Sequence, residues 1–290
     1  MKISVIIPVF NRPQLIKRAI DSVLNQSRKA DEIIVVNDGS TDNTKEVITE
    51  YKNAVCLIDQ ENMGVSAARN TGIRSAKYEW LAFLDSDDEW HRDKLLKAEE
   101  FHEKNPEYGI FQSDEIWFRN GRRVNPRIKH QKIGGWIYKQ SLPLCIVSPS
   151  AVVINKDIFE DAGLFDEEFI VCEDYDLWLR ITRKYPVGFN PFKGVIKYGG
   201  HPDQLSKKYW GMDIYRVQAM EKQLNDPSLQ GDMRQWTLDE IITKLEILIN
   251  GFRKRNKRKT DLEEKYNKYF NELSRISPGC APDKPADKNG

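Results

Sequence analysis

The first hundred residues alternate short β-branched apolar runs with stretches of helical spacing, and no other feature limits the fold as sharply. Strands buried on both faces read as unbroken apolar runs, and the helices between them carry the chain back to start the next strand. The alternation therefore predicts βαβ units around a mostly parallel sheet. Ile3 to Val9 is the first run. Leu15, Ile16, Ala19, Ile20, Val23 and Leu24 then share one helical face, with Asn11 and Pro13 as start signals. Ile33 to Val36, Ala54 to Ile58 and Trp80 to Leu84 read as strands two, three and four. Between them lie helical stretches through Val47, Ile48 and Tyr51 and through Ala67, Ala68 and Ile73.

Beyond a helix near 92–104, closed by Asn105-Pro106, the regularity stops. Tyr108 to Phe118 runs into Asn120-Gly121, a hairpin dipeptide. Residues 122–147 are irregular, Ala151 to Ile154 resumes strand character, Glu173 to Lys184 has helical spacing, and Val187 to Tyr198 reads as extended. From 237 the pattern is helical, with one stripe through Leu238, Ile241, Leu245 and Leu248 and another through Leu262, Tyr266, Tyr269, Phe270 and Leu273. The reading divides the chain into 1–205, with halves 1–105 and 106–205, then a helical extension 206–276. The tail 277–290, rich in Pro and Gly and almost without apolar side chains, is expected to be disordered.

Composition removes several functions. Forty-five basic against 44 acidic residues give a net charge of +1, so the chain lacks the electrostatic footprint of a nucleic-acid binder. No apolar run approaches the roughly 20 residues of a membrane span. Met1-Lys2-Ile3-Ser4 enters a strand without the features of a signal peptide, so a cytoplasmic location is expected. Four cysteines at 56, 145, 172 and 280 have no CxxC spacing, which predicts reduced structural thiols rather than a zinc site. The chain also has no GxGxxG after strand one, no GxxxxGK[ST] and no GxSxG, which argues against dinucleotide, P-loop and hydrolase-elbow chemistry.

In open α/β sheets ligands bind beyond the carboxyl ends of the strands, and three such ends here are polar. They are Pro8-Val9-Phe10-Asn11, Asn37-Asp38-Gly39-Ser40 and Asp85-Ser86-Asp87-Asp88. Carboxylates gathered at one strand end repel unless a cation or donors offset them, and hard oxygen ligands suit Mg²⁺ or Mn²⁺. A solvated turn with Asp capping the next helix fits the same residues. Asp38 fits both a carboxylate facing a nucleobase or ribose and an ordinary Asx turn. Glu173-Asp174 opens a helix, where an ionised carboxylate is favoured and could take a proton from an attacking hydroxyl, or could simply complement the helix dipole. His201, in Gly199-Gly200-His201-Pro202, is a candidate metal or phosphate contact, although a lone His in such a loop is more often neither.

Taken in order, Val5-Ile6-Ile7-Pro8-Val9-Phe10-Asn11, Val35-Val36-Asn37-Asp38-Gly39-Ser40-Thr41-Asp42, Asn62-Met63-Gly64-Val65-Ser66-Ala67-Ala68-Arg69-Asn70, Asp85-Ser86-Asp87-Asp88 and Glu173-Asp174-Tyr175-Asp176-Leu177-Trp178 resemble family 2 glycosyltransferases over about residues 1–205. The resemblance implies a GT-A fold, a Rossmann-like nucleotide-binding sheet followed by an acceptor-binding half and here a C-terminal helical extension. It implies inverting transfer of a sugar from a nucleotide diphosphate donor, UDP-linked by expectation, to a saccharide or lipid-linked acceptor. Matched motif by motif, Pro8, Val9, Phe10, Asn11, Asn62, Gly64, Arg69 and Ser86 would line the donor pocket, with Asp38 on the base. Asp85 would touch ribose or sugar, Asp87 with Asp85 and His201 would hold Mn²⁺ or Mg²⁺, and Asp174 or its neighbour Glu173 would be the general base. Gly199-Gly200 departs from the family pattern before His201. Val147-Ser148-Pro149-Ser150 either lines the acceptor cleft or is a plain turn.

The segment Arg253-Lys254-Arg255-Asn256-Lys257-Arg258-Lys259 reads as a solvated linker or as a peripheral contact with anionic lipid at the inner membrane face. Two rival functions remain: sugar nucleotidyl transfer, which wants a Gly-rich basic loop that Pro8 to Arg12 does not provide, and a non-catalytic nucleotide-sugar-binding module, against which Asp85, Asp87 and Asp174 argue.

Overall fold

β1 (Ile3–Val9) is buried along its whole length, and its two-residue period divides it between two cores. Ile3, Val5, Ile7 and Val9 join one core with Ile33, Val35 and Ala82. Ile6 joins the other with Ile34, Val36, Leu81 and Phe83. This two-sided burial is why the run is apolar without a break. The computed structural model describes residues 1–125, 128–200, 211–257 and 259–276.

β2 (Glu32–Asp38), β3 (Cys56–Gln60) and β4 (Trp80–Phe83) pair in parallel with β1 in the order β3-β2-β1-β4. α1 (Pro13–Leu24), with proline in its first turn, buries Ile16, Ala19, Ile20 and Val23 on the first core. α2 (Thr44–Thr49) follows β2. α3 (Val65–Ser75) places Ala68 and Ile73 in the second core. At Gly72 a Cβ would stand 2.4 Å from Ile6 Cγ2, so glycine is what lets α3 lie this close to β1.

The second half extends the same sheet with mixed pairing. It comprises β5 (Glu89–Trp90), α4 (Lys94–Lys104), β6 (Ile110–Arg119), β7 (Arg122–Val124), α5 (Tyr138–Ser141), β8 (Val152–Asn155), α6 (Ile158–Ala162), α7 (Glu173–Thr182) and β9 (Gly188–Gly199). The order continues β4-β8-β6-β9-β5, with β7 on β6. β4–β8, β6–β8, β5–β9 and β6–β7 are antiparallel, whereas β6–β9 is parallel with register shifts around Asp114. The wholly parallel part of the sheet is thus β1–β4, where helices supply the crossovers. The β6–β7 turn has positive φ at Asn120 (51°) and Gly121 (72°), the conformation a two-residue hairpin favours. The Asp85–Asp88 turn leads into β5 and not directly into a helix.

The chain separates into two compact units, 1–210 and 211–290. Within the second, α8 (Met212–Leu224), α9 (Gly231–Arg253) and α10 (Thr260–Ile276) pack through apolar stripes that include Met220, Ile241, Leu245 and Leu273. Glu221 of α8 takes hydrogen bonds from Lys265 (2.8 Å) and Tyr269 (2.9 Å) of α10. No helix among the described residues is long and apolar enough to cross a membrane. Cys56, Cys145 and Cys172 form no disulfide among the described residues. The tail 277–290 lies outside the described residues.

Candidate active site

The carboxyl ends of β1, β2 and β4 meet at one rim. Pro8 and Val9 are buried inside β1, so of the first motif only Phe10 (43% exposed) and Asn11 reach the surface. Asn11 adopts φ 50° and joins two loops: its backbone N–H donates to Ser40 Oγ (2.9 Å), and the Thr41 N–H donates to its Oδ1 (2.8 Å).

Asp38 ends β2 with a buried carboxylate that accepts from Gln60 Nε2 (2.7 Å) and from the backbone N–H groups of Met63 (3.0 Å) and Gly64 (2.9 Å). Asn62 Nδ2 donates to the Asp38 carbonyl (2.9 Å). Asp38 therefore organises the loop that carries Asn62 and Gly64. Gly39, at φ 72°, allows that loop to approach, because a Cβ would meet the Asn62 nitrogen at 2.6 Å.

The acidic turn after β4 sends its carboxylates in three directions. Asp85 Oδ1 accepts from Arg69 Nη2 (2.7 Å). Asp87 Oδ2 lies 3.2 Å from Arg12 Nη1, and Arg18 Nη2 donates to the Asp87 carbonyl (2.5 Å). Asp88 is buried and accepts from Ser150 Oγ (2.6 Å), which itself takes the Asp85 N–H (3.1 Å). Ser86 is also buried, and its hydroxyl receives Arg12 Nη1 at 3.4 Å. Burial, opposed by Lys197 and reinforced by Asp85 and Asp87, pushes the Asp88 carboxyl up to about 8. Burial also disfavours the charge on Asp85, but Arg69 and then Lys197 outweigh it and hold that carboxyl below its ordinary value.

Arg69 links this rim to the start of α7. Only 4% exposed, its guanidinium sends Nη2 to Asp85 and Nη1 to Glu173 Oε1 (2.8 Å). Three acids fill the first turn of α7, and their partners distinguish them. Glu173 is held by Arg69, and Asp176 by Arg180 at 2.8 Å. Asp174, half-buried, has no ion pair among the described residues; its Oδ1 takes the Tyr175 N–H (2.7 Å) and its Oδ2 lies 3.5 Å from the Cys145 thiol. Cys172, at φ 63°, sets the entry to the helix. Burial, and after it the charge of Asp174, raise the Glu173 carboxyl even with Arg69 beside it. Burial, with Asp174 adding to it, pushes the Cys145 thiol well up, so that sulfur stays a protonated donor.

Three participants had weak or no sequence signal. Arg12 follows Asn11 directly and could have been found as the next side chain of that loop. Lys197 and Cys145 carry none. Lys197, on β9, lies 3.8 Å from Asp88; burial opposes its charge, but Glu115, Asp88, Asp85 and Asp87 outweigh that and raise its pKa. Ser148 donates to Glu115, so the 147–150 segment braces β6 as well as the acidic turn. His201 lies outside the described residues.

Asp85 and Asp87 give the rim two hard carboxylate donors, each now offset by an arginine. Among the described residues no cluster of three or more His, Cys, Asp or Glu side chains is placed to hold a metal ion by itself. Such a donor set fits Mg²⁺ or Mn²⁺ in the form in which one or two carboxylates and substrate phosphates share the ion.

The family model for glycosyl transferase family 2 matches residues 4–162, over half of the chain. A glycosyltransferase of Rickettsia typhi without assigned function is 32% identical over 209 residues, 70% of this chain and 65% of that protein. A Rickettsia felis relative is matched over only 35% of its length, so this chain spans between a third and two thirds of these relatives. TuaG of Bacillus subtilis, a glycosyltransferase named for teichuronic acid biosynthesis, is 41% identical over 213 residues, 72% of this chain and 82% of TuaG. The solved structure of S. aureus TarS 1–349 in complex with UDP-GlcNAc superposes with TM-score 0.72 at 20% identity, covering 97% of this chain and 82% of that one. The fold is shared with that GT-A protein.

Proposed function

From the premise that this chain belongs to glycosyl transferase family 2, we propose that it transfers a sugar, with inversion, from a UDP-linked donor to a saccharide or lipid-linked hydroxyl. The observation that carries the reading is the division of labour between the carboxylates: Asp85 and Asp87 stand at the strand-end rim, Glu173 is locked to Arg69, and Asp174 is the acid of that turn with no ion pair among the described residues.

The loops bearing Asn11, Asp38, Asn62 and Gly64 receive the nucleoside, with Pro8 and Val9 as the strand beneath them and Phe10 and Ser86 at the edges. Asp85 and Asp87 would hold Mn²⁺ or Mg²⁺ beside the donor diphosphate. When bound, the ion offsets negative charge that develops on the departing diphosphate. Arg12, whose Nη1 lies 3.2 Å from Asp87, would offer its guanidinium to a phosphate oxygen of the donor. Arg69 keeps the rim and α7 in one register. Asp174 takes the proton from the acceptor hydroxyl as that oxygen attacks the anomeric carbon from the face opposite the leaving group, which is what inversion requires. His201 is a further candidate contact to the diphosphate.

Arg253, Lys254, Arg255, Lys257 and Lys259 are exposed on the turn between α9 and α10. We read them as a peripheral contact with anionic lipid on the cytoplasmic side, at about 1 kcal/mol per residue near the surface. Calorimetric titration with UDP, with and without Mn²⁺, tests the donor assignment. The expected result is binding that Mn²⁺ strengthens and that Asp87→Asn weakens at least tenfold; UDP binding with no response to Mn²⁺ or to the substitution overturns it.

A further inference from the structure

We propose that the cavity between β6 and the 128–132 segment is the subsite for one neutral pyranose unit of the acceptor, a reading that rests on the glycosyl-transfer assignment above. The cavity measures about 230 Å³. That is smaller than the roughly 300–1,000 Å³ of pockets for larger organic ligands, and suits a single sugar ring better than a nucleotide.

Its walls combine two surfaces that a pyranose needs. Trp117 and His130 form an aromatic pair with centroids 5.6 Å apart and planes tilted by 56°, and Ile128 beside them is 90% exposed. The indole is held in place because its Nε1–H donates to Glu115 Oε2 (2.9 Å). Such an amphipathic, pre-fixed ring suits the C–H face of a sugar. Asp114 and Gln131 also line the cavity, and neither side chain has a hydrogen-bond or ionic partner among the described residues. A carboxylate acceptor and an amide with both donor and acceptor are what sugar hydroxyls require.

The floor argues for a neutral ring. Glu115 and Lys132, both buried, pair at 3.3 Å, and Lys132 Nζ also donates to Gln112 Oε1 (3.0 Å) and the Ile146 carbonyl (3.3 Å). Lys132, the Lys or Arg side chain that lines the cavity among the described residues, is therefore already paired and does not mark a phosphate site. The same floor adjoins the proposed base: Ile146 follows Cys145, whose thiol stands 3.5 Å from Asp174 Oδ2. Lys132 and the 145–146 segment thus tie the floor of the cavity to Asp174.

Saturation-transfer NMR on the full chain, with the methyl glycosides of glucose, galactose, mannose and N-acetylglucosamine as probes, tests this without turnover. Calorimetry with UDP-GlcNAc runs in parallel on the same samples. At least one glycoside should show transfer to its ring protons in the wild type, reduced at least fivefold in Trp117→Ala and in Asp114→Asn, with donor affinity unchanged within twofold. Asp114→Asn alters only a partly exposed side chain without partners among the described residues, so it keeps the test open if Trp117→Ala fails to fold. Absence of transfer from all four glycosides in the wild type overturns the proposal. So does transfer undiminished in the variants, or a parallel loss of UDP-GlcNAc affinity, which would make the cavity the donor sugar's. Because donor binding is read separately, failure of this subsite is distinguishable from failure of the transferase reading.

Discussion

Replacing Arg69 by Met tests the junction between the donor rim and α7. The guanidinium is 4% exposed and spans Asp85 at 2.7 Å and Glu173 at 2.8 Å, so its loss strands two carboxylates of which Glu173 is itself buried. Breaking a buried pair by removing one partner costs about 3–5 kcal/mol. For a unit of about 210 residues, at about 2–4 °C per kcal/mol, the midpoint of thermal unfolding should fall by about 6–20 °C. The sign of the pH dependence follows from the carboxyls. In the wild type Arg69 holds the Asp85 carboxyl below its ordinary value, which adds stability above the unfolded carboxylate range and loses it on acidification. Without Arg69, the Glu173 carboxyl, already raised by burial with Arg69 in place, rises further, and Asp85 loses the first of the cations that hold it down, so the native state loses stability as pH rises through the Glu173 carboxyl. The gap between wild type and Arg69→Met should widen from pH 5 to pH 8 in calorimetric scans. Arg69→Lys, which lacks the fork that meets two carboxylates at once, should fall between them. A gap under about 1 kcal/mol, or one that does not change over that pH range, refutes the reasoning, since either means that these charges are not held out of water.

Lys94 gives a second pH signature. Burial, with the charge of Lys132 adding to it, pulls its ammonium down to about 7, so between pH 7 and its ordinary 10.5 the unfolded chain binds a proton that the native state does not. Stability should therefore rise with pH by up to about 1.4 kcal/mol per unit in that window, and Lys94→Met should flatten the rise in urea denaturation at pH 7.5 and 9.5; an unchanged slope tells against it. Replacing Arg253, Lys254, Arg255, Lys257 and Lys259 together by Gln should abolish co-sedimentation with phosphatidylglycerol vesicles at low salt. Sedimentation equal to that of the wild type removes the membrane contact.

Much of the first half could be read in advance because β1, β2 and β4 are buried on both faces, which writes an apolar run with few other interpretations. The Asn120-Gly121 turn announced itself by the same local logic. β5, with two residues, and α5 and α6, with four and five, span little more than one period of their type, too little for a repeat to show in the sequence. α8 was read only as part of the helical extension 206–276, without a stripe of its own, although Ile214, Val217, Met220 and Leu224 lie along it. The acidic turn, Asp38 and Glu173-Asp174 were visible as motifs, but their partners were not. Arg69 meets Glu173 across 104 residues of chain, and that approach alone separates a locked carboxylate from an open one. Lys197 belongs to a stretch that reads only as extended, and its role emerges only when β9 lies beside β6.

The central claim is that Asp174 removes the acceptor proton while a separate rim grips the donor. It is tested most directly by measuring UDP-GlcNAc affinity and UDP release, with the four methyl glycosides as acceptors, in Asp174→Asn beside the wild type. Donor affinity within twofold of the wild type, with release lowered by about 10²–10⁴, is the predicted result. Release at the wild-type rate would contradict it.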